Sequence, residues 1–151
     1  MQAIQVRKEL TDEWQNKGVK KGIEFAILTD EITKAWSGMT TRRYKNLKGL
    51  TKENLRDNMT TTEIILNMLA ETATKEISKQ ENPNTFDENK KIAKRGGNIA
   101  GNARKELEKE IGHSVISDKN ATELHPIEIN SVVIDLIEES SNLSTKTKDE
   151  K

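Results

Sequence analysis

Apolar residues recur at intervals of three and four along most of the chain, and this spacing predicts amphipathic helices. In the first such segment, between Ile4 and Lys17, one helix face collects Val6, Leu10 and Trp14. The apolar run 23–28 fits either a short strand or an extended lead-in to a helix, and the pattern leaves both open. We therefore expect an all-α fold with, at most, a minor two-stranded element.

Capping residues predict where the next helices begin and end. Thr29 resembles an N-cap, because two carboxylates follow it where negative charge favours the positive end of the helix dipole. Gly38 is placed to end that helix, since glycine readily adopts the left-handed conformation of helix C-termini. Two short helical segments are expected next, with starts at Thr40 or Thr41 and at Thr51.

Two Thr-x-x-Glu capping boxes predict a helical hairpin. The first box pairs Thr60 with Glu63, the second pairs Thr85 with Glu88, and Pro83 between them blocks helix continuation. The second helix is expected to end at about residue 111, before a glycine. The first helix is expected to bury an apolar stripe made of Ile65, Met68, Leu69, Ala73 and Ile77.

The C-terminal part of the chain differs in character from the hairpin. Pro126 suits the first turn of another amphipathic helix, whose apolar stripe comprises Ile129, Val132, Val133, Leu136 and Ile137. Residues 140–151 are polar and are predicted to be disordered. The expected organisation is a helical domain over 1–117, a linker and amphipathic helix over 118–139, and a disordered tail over 140–151.

Composition narrows the class of protein. Only 32% of the 151 residues are apolar and 33% are charged, which predicts a thin core and long solvated helices. The chain lacks cysteine, so it has no disulfide framework and suits a reducing compartment. Its longest uninterrupted apolar run is four residues, 25–28, far below the roughly 20 that a membrane span needs. We expect a cytoplasmic protein without a membrane partner.

The segment "RGGNIAGNA", residues 95–103, raises the question of a phosphate-binding loop. Gly96 and Gly101 have the glycine spacing of such a loop, but Asn102 and Ala103 replace its lysine and hydroxyl residues. A small-residue seam inside a helix fits better, either packed against the Thr60 helix at Ala70 and Ala73 or kinked at its paired glycines. The residues of this expected helix-packing seam are Ala93, Gly96, Gly97, Ala100 and Ala103.

Charge is balanced over the whole chain, but the first third is basic and the rest is acidic. The region after Gly38 interleaves cations with Tyr44, and with the preceding segment it loosely resembles a helix-turn-helix. We favour a solvated helix face here over nucleic-acid contact. The residues that would contact phosphates in the nucleic-acid alternative are Arg42, Arg43, Lys45, Lys48, Lys52 and Arg56.

The chain offers little for catalysis. His113 and His125 are isolated, no His, Asp or Glu set has metal-ligand spacing, and the adjacent acidic pairs point apart on a helix. We therefore predict no catalytic residues, no metal, no cofactor and no enzyme activity.

Four segments resemble a known family: "RKELTDEW", "FAILTDEI", "YKNLKGLTKENLRDNMT" and "NIAGNARKELEKEIG". They are similar to the C-terminal region of DNA-damage-inducible protein D and of related BRO-type prophage antirepressors. The similarity covers roughly residues 6–117, and "KGLTKENLRDNMT" is its most specific part. The resemblance implies a helical region that usually follows an N-terminal BRO-type DNA-binding domain. That domain is expected to be absent here, because Met1 lies almost at the start of the helical region.

The sequence thus predicts a non-enzymatic interaction module of the DNA-damage (SOS) response or of prophage regulation. Its expected partner is a protein, and self-association remains open. A small DNA-binding protein that uses the basic region is the alternative, and a nucleotide-binding enzyme is the least favoured reading.

Overall fold

A computed structural model describes residues 2–124, and every regular element in this range is helical. The all-α prediction is confirmed, and no strand occurs among these residues. The predicted helix after Pro126 and the predicted tail at 140–151 lie outside the described residues. The elements are α1 (Gln2–Asn16), α2 (Ile23–Ser37), α3 (Thr41–Leu47), a 3₁₀ helix (Arg56–Asn58), α4 (Thr61–Glu81), α5 (Phe86–Ile111) and α6 (Ala121–Leu124).

Helices α4 and α5 form the predicted hairpin. Thr60 and Glu63 make both hydrogen bonds of a capping box, and α4 ends at Asn82, which has a φ of 50° and precedes Pro83. At the start of α5 only half of the predicted box forms, because Glu88 accepts a hydrogen bond from the N–H of Asn84 instead of that of the N-cap residue. The hairpin is therefore determined largely by residues close to its turn.

The remaining helices pack on the two sides of this hairpin. The most extensive helix pairs are α4 with α5, α2 with α5, and α1 with α4. At the edge of the bundle, Leu124 lines one surface groove together with Ala3 and Ile4. The buried apolar centre includes Leu10, Trp14, Leu28, Ile32, Trp36, Tyr44, Leu66, Ala70, Ala93 and Ala100.

Helix α2 begins earlier than predicted. Gly22, with a φ of 86°, precedes the helix, and the apolar run 23–28 forms its first turns rather than a strand. The prediction of an N-cap at Thr29 is therefore wrong, because this threonine lies inside the helix and donates its hydroxyl to the carbonyl of Phe25. The helix includes the residues before Thr29 because Leu28 lies on the same buried face as Ile32 and Trp36, four and eight residues later.

The segment 51–55 does not form the short helix predicted at Thr51. The carboxylate of Glu53 accepts a hydrogen bond from the N–H of Thr51 at 2.8 Å, and the side chain of Asn54 accepts one from the N–H of Asp57. These local side-chain bonds satisfy backbone groups in a turn and therefore compete with helix formation. A 3₁₀ helix follows in place of an α-helix.

The predicted buried stripe of α4 is also wrong. Ile65 is 59% exposed and Leu69 is 38% exposed, while Met68, Ala73 and Ile77 are only half-buried. The helix instead turns small and polar residues inward, because close packing against α5 and ion pairing with α1 require them there. The buried residues of α4 are Glu63, Leu66, Asn67, Ala70, Glu71, Thr74 and Ser78.

Candidate functional site

The basic region predicted for phosphate contact divides into two groups in the structure. Thr40 caps α3 and accepts a hydrogen bond from the N–H of Arg43 at 3.2 Å. Arg42 and Arg43 are exposed in the first turn of this helix, and Lys52 is exposed in the turn that follows. None of the three makes an ion pair within residues 2–124.

Lys48 does not belong to this surface, so its assignment as a phosphate contact is wrong. Its residue exposure is 1%, and its ammonium group lies 2.9 Å from Glu63 Oε1. The same group donates hydrogen bonds to the carbonyl oxygens of Ser117 at 2.7 Å and Lys119 at 2.8 Å. Three acceptors therefore occupy all three of its donor positions, and none is left for a nucleic acid.

Glu63 is the centre of this buried cluster. Besides Lys48, its carboxylate accepts hydrogen bonds from the N–H groups of Thr60 at 2.8 Å and Ser117 at 3.1 Å, and from the hydroxyl of Tyr44. Burial, together with the nearby carboxylate, raises the pKa of Tyr44, so this hydroxyl remains a donor. A fully buried carboxylate is stable here because every contact supplies a donor or a positive charge.

The cluster also holds the chain after α5 against the bundle. The side chain of Asn120 donates to the carbonyl of Lys48 at 3.2 Å, and the N–H of Ala121 donates to Asn58 Oδ1 at 2.7 Å. We call residues 115–121 the C-terminal clasp. Its hydrogen bonds extend beyond residue 117, where the helical domain was expected to end.

Arg56 lies beside a second buried carboxylate, that of Glu71, and Lys45 lines the same cavity as this carboxylate. Glu71 is 2% exposed, and its Oε2 lies 3.3 Å from Arg7 and 3.7 Å from Arg56. Burial raises the pKa of Glu71, while the charges of Arg56 and Arg7 oppose that rise. The other guanidinium nitrogen of Arg7 donates to the hydroxyl of Thr29 at 2.7 Å. Arg56 is thus an internal ion-pair residue as much as a surface cation.

The glycine-rich segment lies inside the continuous helix α5 and faces two different helices. At Gly96 an added Cβ would lie 2.6 Å from the backbone nitrogen of Thr74 in α4. At Gly97 it would lie 2.8 Å from the carbonyl oxygen of Ile32, and at Gly101 2.7 Å from that of Ala35, both in α2. Backbones of neighbouring helices fill the space that a phosphate would need.

The other residues of the predicted seam follow the same surface of α5. Ala93 and Ala100 are buried and Ala103 is half-buried, whereas Leu107 and Ile111, farther along the helix, are more than a third exposed. The contact with α2 was not predicted. Its signal is the second pair of small residues, Gly97 and Gly101, which stand four positions apart and form a second face beside the first.

Helix α4 presents an apolar surface away from the bundle. Ile65 and Leu69 stand one turn apart, so they lie on the same side of the helix. We call this pair the outer α4 face. Nothing within residues 2–124 covers either side chain fully.

Two other properties bear on the class of protein. No three His, Asp or Glu side chains in the described range are placed to share a metal ion. Within 2–124, no helix combines the length and apolar character needed to cross a bilayer.

Comparison with known proteins identifies a family. The family model described as the DinD C-terminal domain matches residues 2–131, which is most of the chain. This match confirms the resemblance to the C-terminal region of DNA-damage-inducible protein D. The curated proteins and the solved structures provide no match to this chain.

Proposed function

Because the chain belongs to the DinD C-terminal domain family, we propose that it is a non-enzymatic, cytoplasmic module that acts in DNA-damage or prophage regulation through protein contacts. The observation that carries this proposal is the outer α4 face. Its two large aliphatic side chains are exposed on a helix whose opposite side is already packed. Clustered apolar side chains on a surface are typical of sites that another protein covers.

The sequence pattern of α4 supports the same proposal. The stripe that contains Ile65 and Leu69 has the spacing of a face that is buried in a helix pair. The bundle uses the other side of α4 for its own core, so the apolar stripe is left for contact with a partner. We expect a partner helix or groove to pack on it.

The test is photocrosslinking in cells treated with a DNA-damaging agent. A photoreactive amino acid in place of Ile65 should give a discrete covalent adduct, and one in place of exposed Lys105 on α5 should not. Untagged wild-type protein should compete the adduct away, whereas a variant with Ile65→Glu and Leu69→Glu should not compete. Ile65 is 59% exposed and Leu69 is 38% exposed, and the core uses the opposite side of α4, so this variant should retain its melting temperature within a few degrees. Equal labelling at both positions would contradict the proposal.

DNA binding is the second candidate, and the exposure of Arg42, Arg43 and Lys52 favours it. Only these three of the six predicted cations are exposed, so the contact would be small. Each phosphate contact changes log K by about 0.9 per decade of salt, so a slope of about −3 is expected. The same preparation should therefore be titrated with duplex DNA at increasing salt. A slope of that size, abolished by Arg42→Ala with Arg43→Ala, would favour this function over the first.

A further inference from the structure

A cavity of about 160 Å³ lies between α2, α3, α4 and the turn at 54–59. Ile32, Leu55 and Met59 form apolar parts of its wall. Because exposed Asn54 also lines it, the cavity reaches the surface at that residue. Its volume is close to the roughly 150 Å³ of an apolar cavity that accommodates a benzene molecule.

Polar atoms without a hydrogen-bond partner concentrate at this cavity. Among residues 2–124, five buried side-chain atoms lack such a partner. Three of the five are Glu71 Oε1, Arg56 Nε and Thr41 Oγ1, and all three residues line the cavity. Buried polar atoms are nearly always paired in folded proteins, so three in one place indicate that something else completes the site.

The charges around the cavity define the chemistry of that occupant. Arg56 and Lys45 contribute two positive charges to the lining, and Glu71 contributes the negative one. Arg7 and Arg56 both lie on Oε2 of that carboxylate, and Oε1 has no hydrogen-bond partner of normal geometry within residues 2–124. An occupant that carries a positive donor and a negative acceptor would complement both ends.

We infer that this cavity binds a free amino acid with an aliphatic side chain. The ammonium group would donate to Glu71 Oε1, and the carboxylate would accept from Arg56 Nε and the hydroxyl of Thr41. The side chain would contact the apolar wall at Ile32 and Leu55. This site is independent of the proposed protein contact, because Glu71 and the outer α4 face lie on different sides of α4.

Binding is tested by titrating the full chain with L-leucine, L-valine and L-methionine up to about 10 mM. The amide chemical shifts are measured at each step by NMR. At least one of the three should shift amides of residues that line the cavity. N-acetyl-leucine, which lacks the ammonium group, and leucinamide, which lacks the carboxylate, should bind more weakly. Equal binding of N-acetyl-leucine and L-leucine would overturn the inference, since Glu71 would then play no part.

Two variants separate ligand binding from folding. Thr41→Val removes a hydroxyl that has no partner, so it should leave the melting temperature unchanged or raise it, yet weaken amino-acid binding by about fivefold. Glu71→Gln should weaken binding by more than about tenfold. Thr72→Val, on α4 but outside the lining, is the matched control and should change neither property. If Thr41→Val stabilises the protein and none of the three amino acids binds, the cavity contains water only and the inference is wrong.

Discussion

Gly96, Gly97 and Gly101 each have only a hydrogen atom as a side chain, and this allows helix backbones to approach closely in the centre of the bundle. Each glycine costs about 1 kcal/mol of helix propensity relative to alanine. Each also stands where a methyl group would meet the backbone of a neighbouring helix. Close approach of three helices offsets the propensity cost, because backbone and side-chain atoms then contact along the whole interface.

Gly96→Ala should lower the free energy of unfolding by about 1–2 kcal/mol, because overpacking against Thr74 exceeds the gain in helix propensity. Urea unfolding of the purified chain measures this change. The control variant Asn98→Ala introduces alanine on the exposed side of α5 and should leave stability unchanged or slightly increase it. A Gly96→Ala variant as stable as Asn98→Ala would show that the two backbones can separate without loss.

At the scale of single residues, the spacing of small side chains predicts a close helix contact but not which residue of the neighbouring helix makes it. Small residues at threes and fours indicate a close helix approach, and Gly96 does face α4. The expected partners of the seam were Ala70 and Ala73, whereas the residue nearest to Gly96 is Thr74. The alignment of two antiparallel helices depends on the turn between them and on all of their contacts, so a local pattern cannot specify it.

At the scale of elements, the Lys48–Glu63 pair joins α3, α4 and the C-terminal clasp. Each charge is fully buried, and each depends on the other and on hydrogen bonds with one further segment, the clasp. Removing one partner leaves the other charge buried without compensation, which lowers the free energy of unfolding by about 3–5 kcal/mol.

Lys48→Met should therefore lower the free energy of unfolding by about 3–5 kcal/mol and speed amide hydrogen exchange in the clasp. Adding Glu63→Gln to the same variant should restore part of the loss, because no buried charge then remains and glutamine still supports a capping box. Lys52→Met, at an exposed position, should change stability by less than about 0.5 kcal/mol. A loss below about 1 kcal/mol for Lys48→Met would contradict this role.

Element boundaries were predictable where local chemistry sets them. The capping box at Thr60, the stop at Gly38 and the end of α5 all depend on residues within one turn. The Lys48–Glu63 pair was not predictable, since its members stand 15 positions apart and Lys48 lies in a basic stretch that is typical of a surface. The same limit explains the stripe of α4, whose two sides compete for the core.

At the scale of the whole molecule, Glu108 joins the end of α5 to the start of the clasp. Burial disfavours its ionised form, but hydrogen bonds from the N–H of Val115 and from Arg104 outweigh burial and hold the pKa of Glu108 below its ordinary value of 4.5. Arg104 also donates to the carbonyl of Trp36, at the end of α2. Glu108 thus connects α5 to the clasp directly and to the end of α2 through Arg104.

Because its folded pKa is the lower one, Glu108 contributes stability that is fully present above the unfolded pKa and is lost as pH falls through the folded pKa. We expect the free energy of unfolding to fall less steeply between about pH 5 and about pH 3 in Glu108→Gln than in the wild type. Glu106→Gln, an exposed carboxylate on the same helix, is the control. Parallel pH curves for Glu108→Gln and the wild type would exclude this contribution.

The groove shared by Ala3, Ile4 and Leu124 brings the first and last described turns of the chain to one edge of the bundle. Polypeptide joined before the first helix and polypeptide continuing past α6 must therefore leave from neighbouring points. A chain shortened to residues 2–124 would present both of its ends at this edge, and a short linker would be enough to connect them. The turn between α4 and α5 lies at the other end of α4 from this groove.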